Sequence, residues 1–152
     1  MAISPKGNLA VAVLIRASNA NRKAFFYHKN GSIALLKIDG KKVTKISEIE
    51  IGGTPEAVGF SPDGKSLAFI SRREGRFQLF LLDLASGQEQ RLSDTTKDES
   101  PSFSANGKYI MYATESGRRG ALAVVSIDGR VKYRLTVQAG DIREPTWGPF
   151  MK

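Results

Sequence analysis

Cysteine is absent from the 152 residues, and histidine occurs once, as His28. Such a chain can form no disulfide, thiolate metal site, iron–sulfur cluster or cysteine nucleophile, and an imidazole triad or multi-histidine zinc site would need partners from another chain. Long apolar runs are missing too. The longest, Leu9 to Ile15, has seven residues, against the roughly 20 that a membrane-spanning helix needs, so no membrane insertion is expected. The opening residues Met1-Ala2-Ile3-Ser4-Pro5-Lys6-Gly7 show no basic segment, apolar core and small-residue cleavage site. The expectation is a soluble protein, either cytoplasmic or a mature form whose leader is gone. No segment carries a 3.6-residue apolar period, which argues against amphipathic helices.

Lysine and arginine total 23 against 15 aspartates and glutamates, a net charge of +8. That excess invites an anionic partner such as nucleic acid or a membrane surface. Its distribution argues otherwise: residues 1–60 hold nine basic and four acidic side chains, residues 61–152 hold fourteen and eleven, and no run of five like charges occurs. Nucleic acid is therefore not expected as the principal partner. The length suits one domain that buries roughly two thirds of its unfolded surface, enough to fold without a metal or disulfide staple.

The chain repeats itself. Phe60-Ser61-Pro62-Asp63-Gly64-Lys65 recurs as Phe103-Ser104-Ala105-Asn106-Gly107-Lys108, and more weakly as Ile3-Ser4-Pro5-Lys6-Gly7-Asn8 and Trp147-Gly148-Pro149, at intervals of 57, 43 and 44 residues. After each marker comes an apolar strand (Leu9–Ile15, Leu67–Ile70, Tyr109–Ala113), then a second strand ending at an aspartate (Ser32–Asp39, Phe77–Asp83, Ala121–Asp128). Asp39-Gly40 and Asp128-Gly129 suit two-residue hairpins, and the middle repeat uses the longer Asp83-Leu84-Ala85-Ser86-Gly87. A half-solvated alternating strand follows, as in Val43–Ile51 and Val131–Leu135, and a short strand leads into the next aromatic.

Four short antiparallel strands per 43 residues or so are the signature of a β-propeller blade. The reading is all-β: three four-stranded antiparallel blades, A to D from inside to outside, forming half a propeller. Blade 1 covers about residues 4–53, with a polar insertion from Ser18 to Asn30; blade 2 covers about 54–96 and blade 3 about 97–140. Three blades cannot close a ring, and the two end faces would leave apolar sheet wet. A second copy covering both would stabilise the assembly by on the order of 10 kcal/mol by area, before association entropy. Homodimerisation into a six-bladed ring is thus expected, with Arg143, Pro145 and Trp147 (residues 143–147) of one chain completing the blade that begins with the stub Ala2 and Ile3 of the other. The bland alternative is a fragment that closes nothing.

Residues 61–152 resemble the last blades of the TolB family through Ser61-Pro62-Asp63-Gly64-Lys65, Leu67-Ala68-Phe69-Ile70-Ser71, Phe80-Leu81-Leu82-Asp83-Leu84, Arg91-Leu92, Ser100-Pro101-Ser102-Phe103-Ser104 and Arg143-Glu144-Pro145-Thr146-Trp147-Gly148-Pro149-Phe150. The resemblance implies a six-bladed propeller of the Tol–Pal system in the periplasm of Gram-negative bacteria, one that binds the lipoprotein Pal through protein contacts and catalyses nothing. Against that family, the sequence is expected to differ in having half the blades, no recognisable N-terminal TolB domain, no leader and a different first blade. Ile51-Gly52-Gly53-Thr54-Pro55-Glu56-Ala57-Val58-Gly59-Phe60 is similar instead to YVTN or lactonase-like propellers. There the proline lies five residues before the aromatic, against two in Pro101-Ser102-Phe103 and Pro145-Thr146-Trp147. Recombination of two propeller families at Phe60–Lys65, natural or engineered, accounts for the change; divergence within one protein is the alternative.

Alternation places the B–C and D–A loops on one face of the ring. The B–C loops hold Arg22 and Lys23, then Arg72, Arg73 and Arg76, then Arg118 and Arg119, a candidate docking surface for an acidic protein or polymer, or simply solvated loop tips. The D–A loops hold Asp94, Lys97, Asp98, Glu99, Asp141 and Glu144. Clustered carboxylates can bind Ca²⁺ or act as acid and base, but their spacing fits no EF-hand and a loop there would be polar anyway. Asp63, Gly64, Asn106, Gly107, Asp39, Gly40, Asp128 and Gly129 read as turn residues, and Phe60, Phe103 and Trp147 as packing between blades. His28 stands alone in the insertion beside Phe25-Phe26-Tyr27, three aromatics that either tuck inward or mark a contact patch. No catalytic, cofactor or metal residues are expected. The reading is a non-enzymatic scaffold whose partners are itself and an acidic or Pal-like protein. A recombined fragment with no selected activity and a carboxylate-based hydrolase or lactonase in the channel are the alternatives.

Overall fold

The computed structural model describes residues 2–7, 9–15, 30–135, 145, 147 and 148. Twelve strands run through them in three groups. The first is β1 (Ala2–Ile3), β2 (Leu9–Ile15), β3 (Asn30–Asp39) and β4 (Lys42–Gly52); the second is β5 (Thr54–Phe60), β6 (Ser66–Arg73), β7 (Arg76–Asp83) and β8 (Glu89–Arg91); the third is β9 (Glu99–Phe103), β10 (Tyr109–Ser116), β11 (Arg119–Ser126) and β12 (Lys132–Leu135). Each group is a four-stranded antiparallel sheet whose spatial order follows the chain. The propeller-like, all-β reading holds, and no helix occurs among the described residues.

The middle sheet is buried on both sides, which explains why β6 and β7 read as near-continuous apolar runs. One face of β6 and β7 offers Leu67, Phe69, Phe80 and Leu82 to Ile33 and Ile51 of the first sheet, with the Phe69 and Phe80 rings stacked at 5.7 Å. The other offers Ala68, Ile70 and Leu79 to Ile110, Tyr112, Ala123 and Val125 of the third. The strands extend beyond their apolar cores, through Ser71–Arg73 in β6 and Thr114–Ser116 in β10, because the backbone ladder continues through the polar residues.

The turns depend on a shared local motif. At Ser61, Ser104 and Ser126 the serine hydroxyl donates to an Asp or Asn two residues on, that side chain accepts the next-but-one backbone N–H, and the serine Oγ accepts from the residue five on. Gly64, Gly107 and Gly129 follow at φ between 71 and 76°, where a side chain would be strained. This corrects the expectation for Asp128-Gly129: the connection is this wide turn, because Ser126 supplies the hydroxyl that holds it open. Asp39-Gly40 is corrected as well. Asp39 pairs with Lys42, so the two-residue loop is Gly40-Lys41, and of these only Gly40 has positive φ, at 60°. Hairpins with both central residues at positive φ lie at the opposite end, at Glu74-Gly75 (52 and 76°) and Gly117-Arg118 (59 and 71°).

Of the residues assigned to ring closure, Ala2 and Ile3 form β1 and pair with Val11 and Ala10. Trp147 places its backbone N–H 3.0 Å from Ser102 Oγ, beside β9, and Pro145 is half-buried. Arg143 lies outside the described residues, as do Arg22, Lys23, Phe25, Phe26, Tyr27, His28, Asp141 and Glu144.

Candidate protein-interaction face

The β6–β7 and β10–β11 hairpins and the loops entering β5 and β9 lie at one end of the sheets, and here the two seams between sheets are locked by different devices. Ser71 and Thr114 sit 43 residues apart at equivalent points of β6 and β10. Ser71 Oγ donates to the Gly52 carbonyl at 2.7 Å, whereas Thr114 Oγ1 donates to the Asp98 carboxylate at 2.8 Å.

At the first seam Arg73 supplies most of the lock. Its Nε donates to Gly52 O at 2.8 Å, its Nη2 meets Glu89 Oε1 at 2.7 Å, and its guanidinium lies 3.9 Å from the centre of the Phe80 ring. The approach is close enough that a Cβ at Gly53, where φ is +73°, would lie 2.3 Å from the Arg72 carbonyl oxygen. At the second seam Asp98, 2% exposed, accepts hydrogen bonds from Ser93, Thr95 and Thr114, while its own N–H donates to Phe77 O. Burial pushes its carboxyl above the ordinary range against those three hydroxyls. Tyr112 is raised as well, chiefly by burial.

The carboxylates of this loop are thereby drawn apart. Asp98 points into the seam with both oxygens occupied; Asp94 is exposed and ion-paired to Lys132 at 2.8 Å, which lowers its pKa. No group of three side chains able to hold a metal ion occurs among the described residues. Ser93 is no nucleophile: it is fully buried and its oxygen also accepts the Leu79 N–H at 2.9 Å.

Of the six arginines that the sequence places in these loops, the five within the described residues divide. Arg73 turns inward, whereas Arg72, Arg76, Arg118 and Arg119 are exposed, with Arg72 lying 6.0 Å from the Phe77 ring centre. Two neighbours join the exposed set: Lys97, bridged to Phe77 and ion-paired to Glu115 at 2.6 Å, and Arg134, whose Nη1 donates to Ser116 Oγ. Sequence reading passes over Arg134 because nothing in an alternating outer strand says which hairpin it reaches. Ser71 and Thr114 were detectable from the 43-residue period. At the other end of the sheets, Ser61, Leu81, Phe103 and Ile127 line a shallow groove of about 260 Å³ between the turns.

Comparison with known proteins gives the same architecture. A family model, the TolB beta propeller domain, matches residues 18–151. The Tol-Pal system protein TolB of Azoarcus sp. (strain BH72) is 59% identical over 83 residues, which cover 55% of this chain and 19% of that protein. Among solved structures, a putative TolB from Agrobacterium tumefaciens superposes with a TM-score of 0.72 at 24% identity, covering 97% of this chain and 49% of that one. A puromycin hydrolase S511A mutant superposes at 0.66 with 15% identity over 97% of this chain and 23% of its own; likenesses this distant concern the fold alone. The chain spans about a fifth of the length of the curated relative and about half of the solved TolB chain.

Proposed function

Because this chain belongs to the TolB beta propeller domain family, we propose that it is a non-enzymatic scaffold whose three sheets are blades of a six-bladed ring, completed by a second copy, and that it binds protein, with a Pal-like partner the first candidate. One observation carries the ring. The face of the middle sheet that packs on the third uses Ala68, Ile70, Leu79 and Leu81, and 43 residues later the same positions hold Met111, Ala113, Leu122 and Val124. Alternation turns those four to the far side of the third sheet, where Ala113 and Val124 are already buried within the chain and the Tyr133 and Leu135 of the same cross-strand rows stay 47% and 37% exposed. The far side of the first sheet carries a buried Ala34 and the half-buried Leu36 and Ile38, with Val43 opposite Ile38 and 58% exposed. An apolar row at each end, spaced as the buried seams are, supports a head-to-tail joint that closes after two copies. Trp147 lies against β9 of its own chain and β1 is already the inner strand of the first sheet, so the closing role assigned to residues 143–147 rests on the ring proposal itself.

The partner reading rests on kinship with a Tol-Pal system protein and on exposed arginines; the non-enzymatic reading rests on the occupied Asp98 and Ser93. Pull-down with Pal tests the first, and an esterase and lactonase screen tests the second. The differing seams support a further reading, that residues 1–60 and 61–152 descend from different propeller lineages joined at Phe60–Lys65. Separate phylogenies of the two parts test it: two origins support the join and one refutes it.

A further inference from the structure

We propose that the hairpin end of the seam between the second and third sheets is an arginine field that docks a protein segment with spaced carboxylates, a reading that rests on the protein-binding function above and gives it a place and a chemistry. The connections are continuous. Arg76 adjoins Phe77, Phe77 bridges to Lys97, Lys97 pairs with Glu115, and Arg119 lies opposite Ser116, to which Arg134 donates. The two hairpins therefore flank one seam with Lys97 between them.

Three features turn this cluster toward a ligand. Arg72, Arg76, Arg118 and Arg119 form no ion pair among the described residues, although Glu74 and Glu115 lie within the same hairpins. Arg73 and Arg76 stand directly opposite each other in the ladder, an arrangement that repels unless one partner leaves or is neutralised. Arg73 leaves, turning to Glu89, and Arg76 stays outward and unneutralised. Arg118 adopts φ +71°, the position that Gly75 fills in the sister hairpin, so a bulky cation occupies a site where glycine is cheaper.

Around the same two sheets, the turns at the opposite end balance three cations, Lys65, Lys108 and Arg130, with three carboxylates, Asp63, Asp83 and Asp128. The basic excess of these two sheets therefore lies away from those turns, although the hairpin end also carries the exposed Glu99 beside Lys97. Glutamates interspersed among the arginines repel a uniform polyanion such as nucleic acid, whereas separate carboxylates on a protein segment fit between them, each meeting a guanidinium fork.

The test is a ¹⁵N NMR titration of the full chain with a synthetic peptide of alternating glutamate and glycine at low salt. Shifts are expected at residues 72–77, 97 and 117–119, fading as salt rises. Arg118→Gly relieves the backbone strain while removing the charge, so the fold is kept; with Arg119→Ser it should weaken binding roughly tenfold, each exposed pair contributing about a factor of three. Shifts centred on residues 62–65 and 105–108, unchanged affinity in the double variant, equal binding of a lysine–glycine peptide, or tighter binding of a single-stranded oligonucleotide would each overturn it. Peptide binding without capture of Pal would uphold the field and remove only the Pal reading.

Discussion

Replacing Asp98 by alanine removes the acceptor for three hydroxyl groups at once, and the structure sets the size of the loss. Ser93, Thr95 and Thr114 all donate to this carboxylate, which is 2% exposed. Hydrogen bonds to a charged group contribute about 1.5–3 kcal/mol each, but the desolvation of a buried carboxylate takes back several kcal/mol. The net cost expected for Asp98→Ala is about 2–4 kcal/mol, a drop in Tm of roughly 5–15 °C for a chain of this length. Asp98→Asn keeps the shape and loses the charge, so it should cost less and separate the two terms. Burial raises the folded pKa above the unfolded value of 3.8, so the folded state holds its proton more tightly. Asp98 accordingly favours folding most below that unfolded value, and its contribution falls as pH rises through the window up to the raised folded pKa. Urea unfolding followed by circular dichroism, at fixed protein concentration and several pH values, should show wild type gaining on Asp98→Asn as the solution is acidified. A gap that widens as pH rises would refute the reasoning, because the anion would then be the stabilised form.

Arg73→Met should cost about 1–3 kcal/mol in thermal or urea melts, since it keeps the side chain's bulk over Phe80 but loses the bonds to Gly52 and Glu89; a loss below about 0.5 kcal/mol would mean that the lock adds little. Gly53→Ala meets the Arg72 carbonyl at 2.3 Å in a left-handed conformation, so it should lower Tm more than any other glycine-to-alanine change in the described turns; a melt like wild type would contradict the geometry. Asn106→Asp should keep or raise Tm, because Asp63 and Asp128 make the same turn with pKa values lowered chiefly by their serine hydroxyl bonds, whereas Asn106→Ala should cost about 1 kcal/mol.

Much of the fold was legible because turn chemistry punctuates it. The Ser-x-Asp/Asn-Gly markers fall where connections occur, and apolar runs between them are strands of sheets buried on one or both faces. Their ends were not legible, since Arg72, Arg73, Thr114 and Glu115 look like loop residues and only the ladder shows otherwise. The turn at Asp128 is not legible from its Asp-Gly dipeptide, because that signal carries nothing of the Ser126 hydroxyl that holds the turn open. The candidate face was half legible: composition marks arginines near hairpins, but only three-dimensional packing shows that Arg73 belongs to a seam and that Asp98 is buried.

Light scattering with mass readout on the intact chain bears most directly on the proposed ring. Two copies of the 16.6 kDa chain should appear as one species of about twice that mass, reverting to monomer when Tyr133 and Leu135 are both replaced by glutamate. A wild-type chain that remains a stable, soluble monomer would contradict the account, because the exposed Val43, Tyr133 and Leu135 at its two ends would then need no cover.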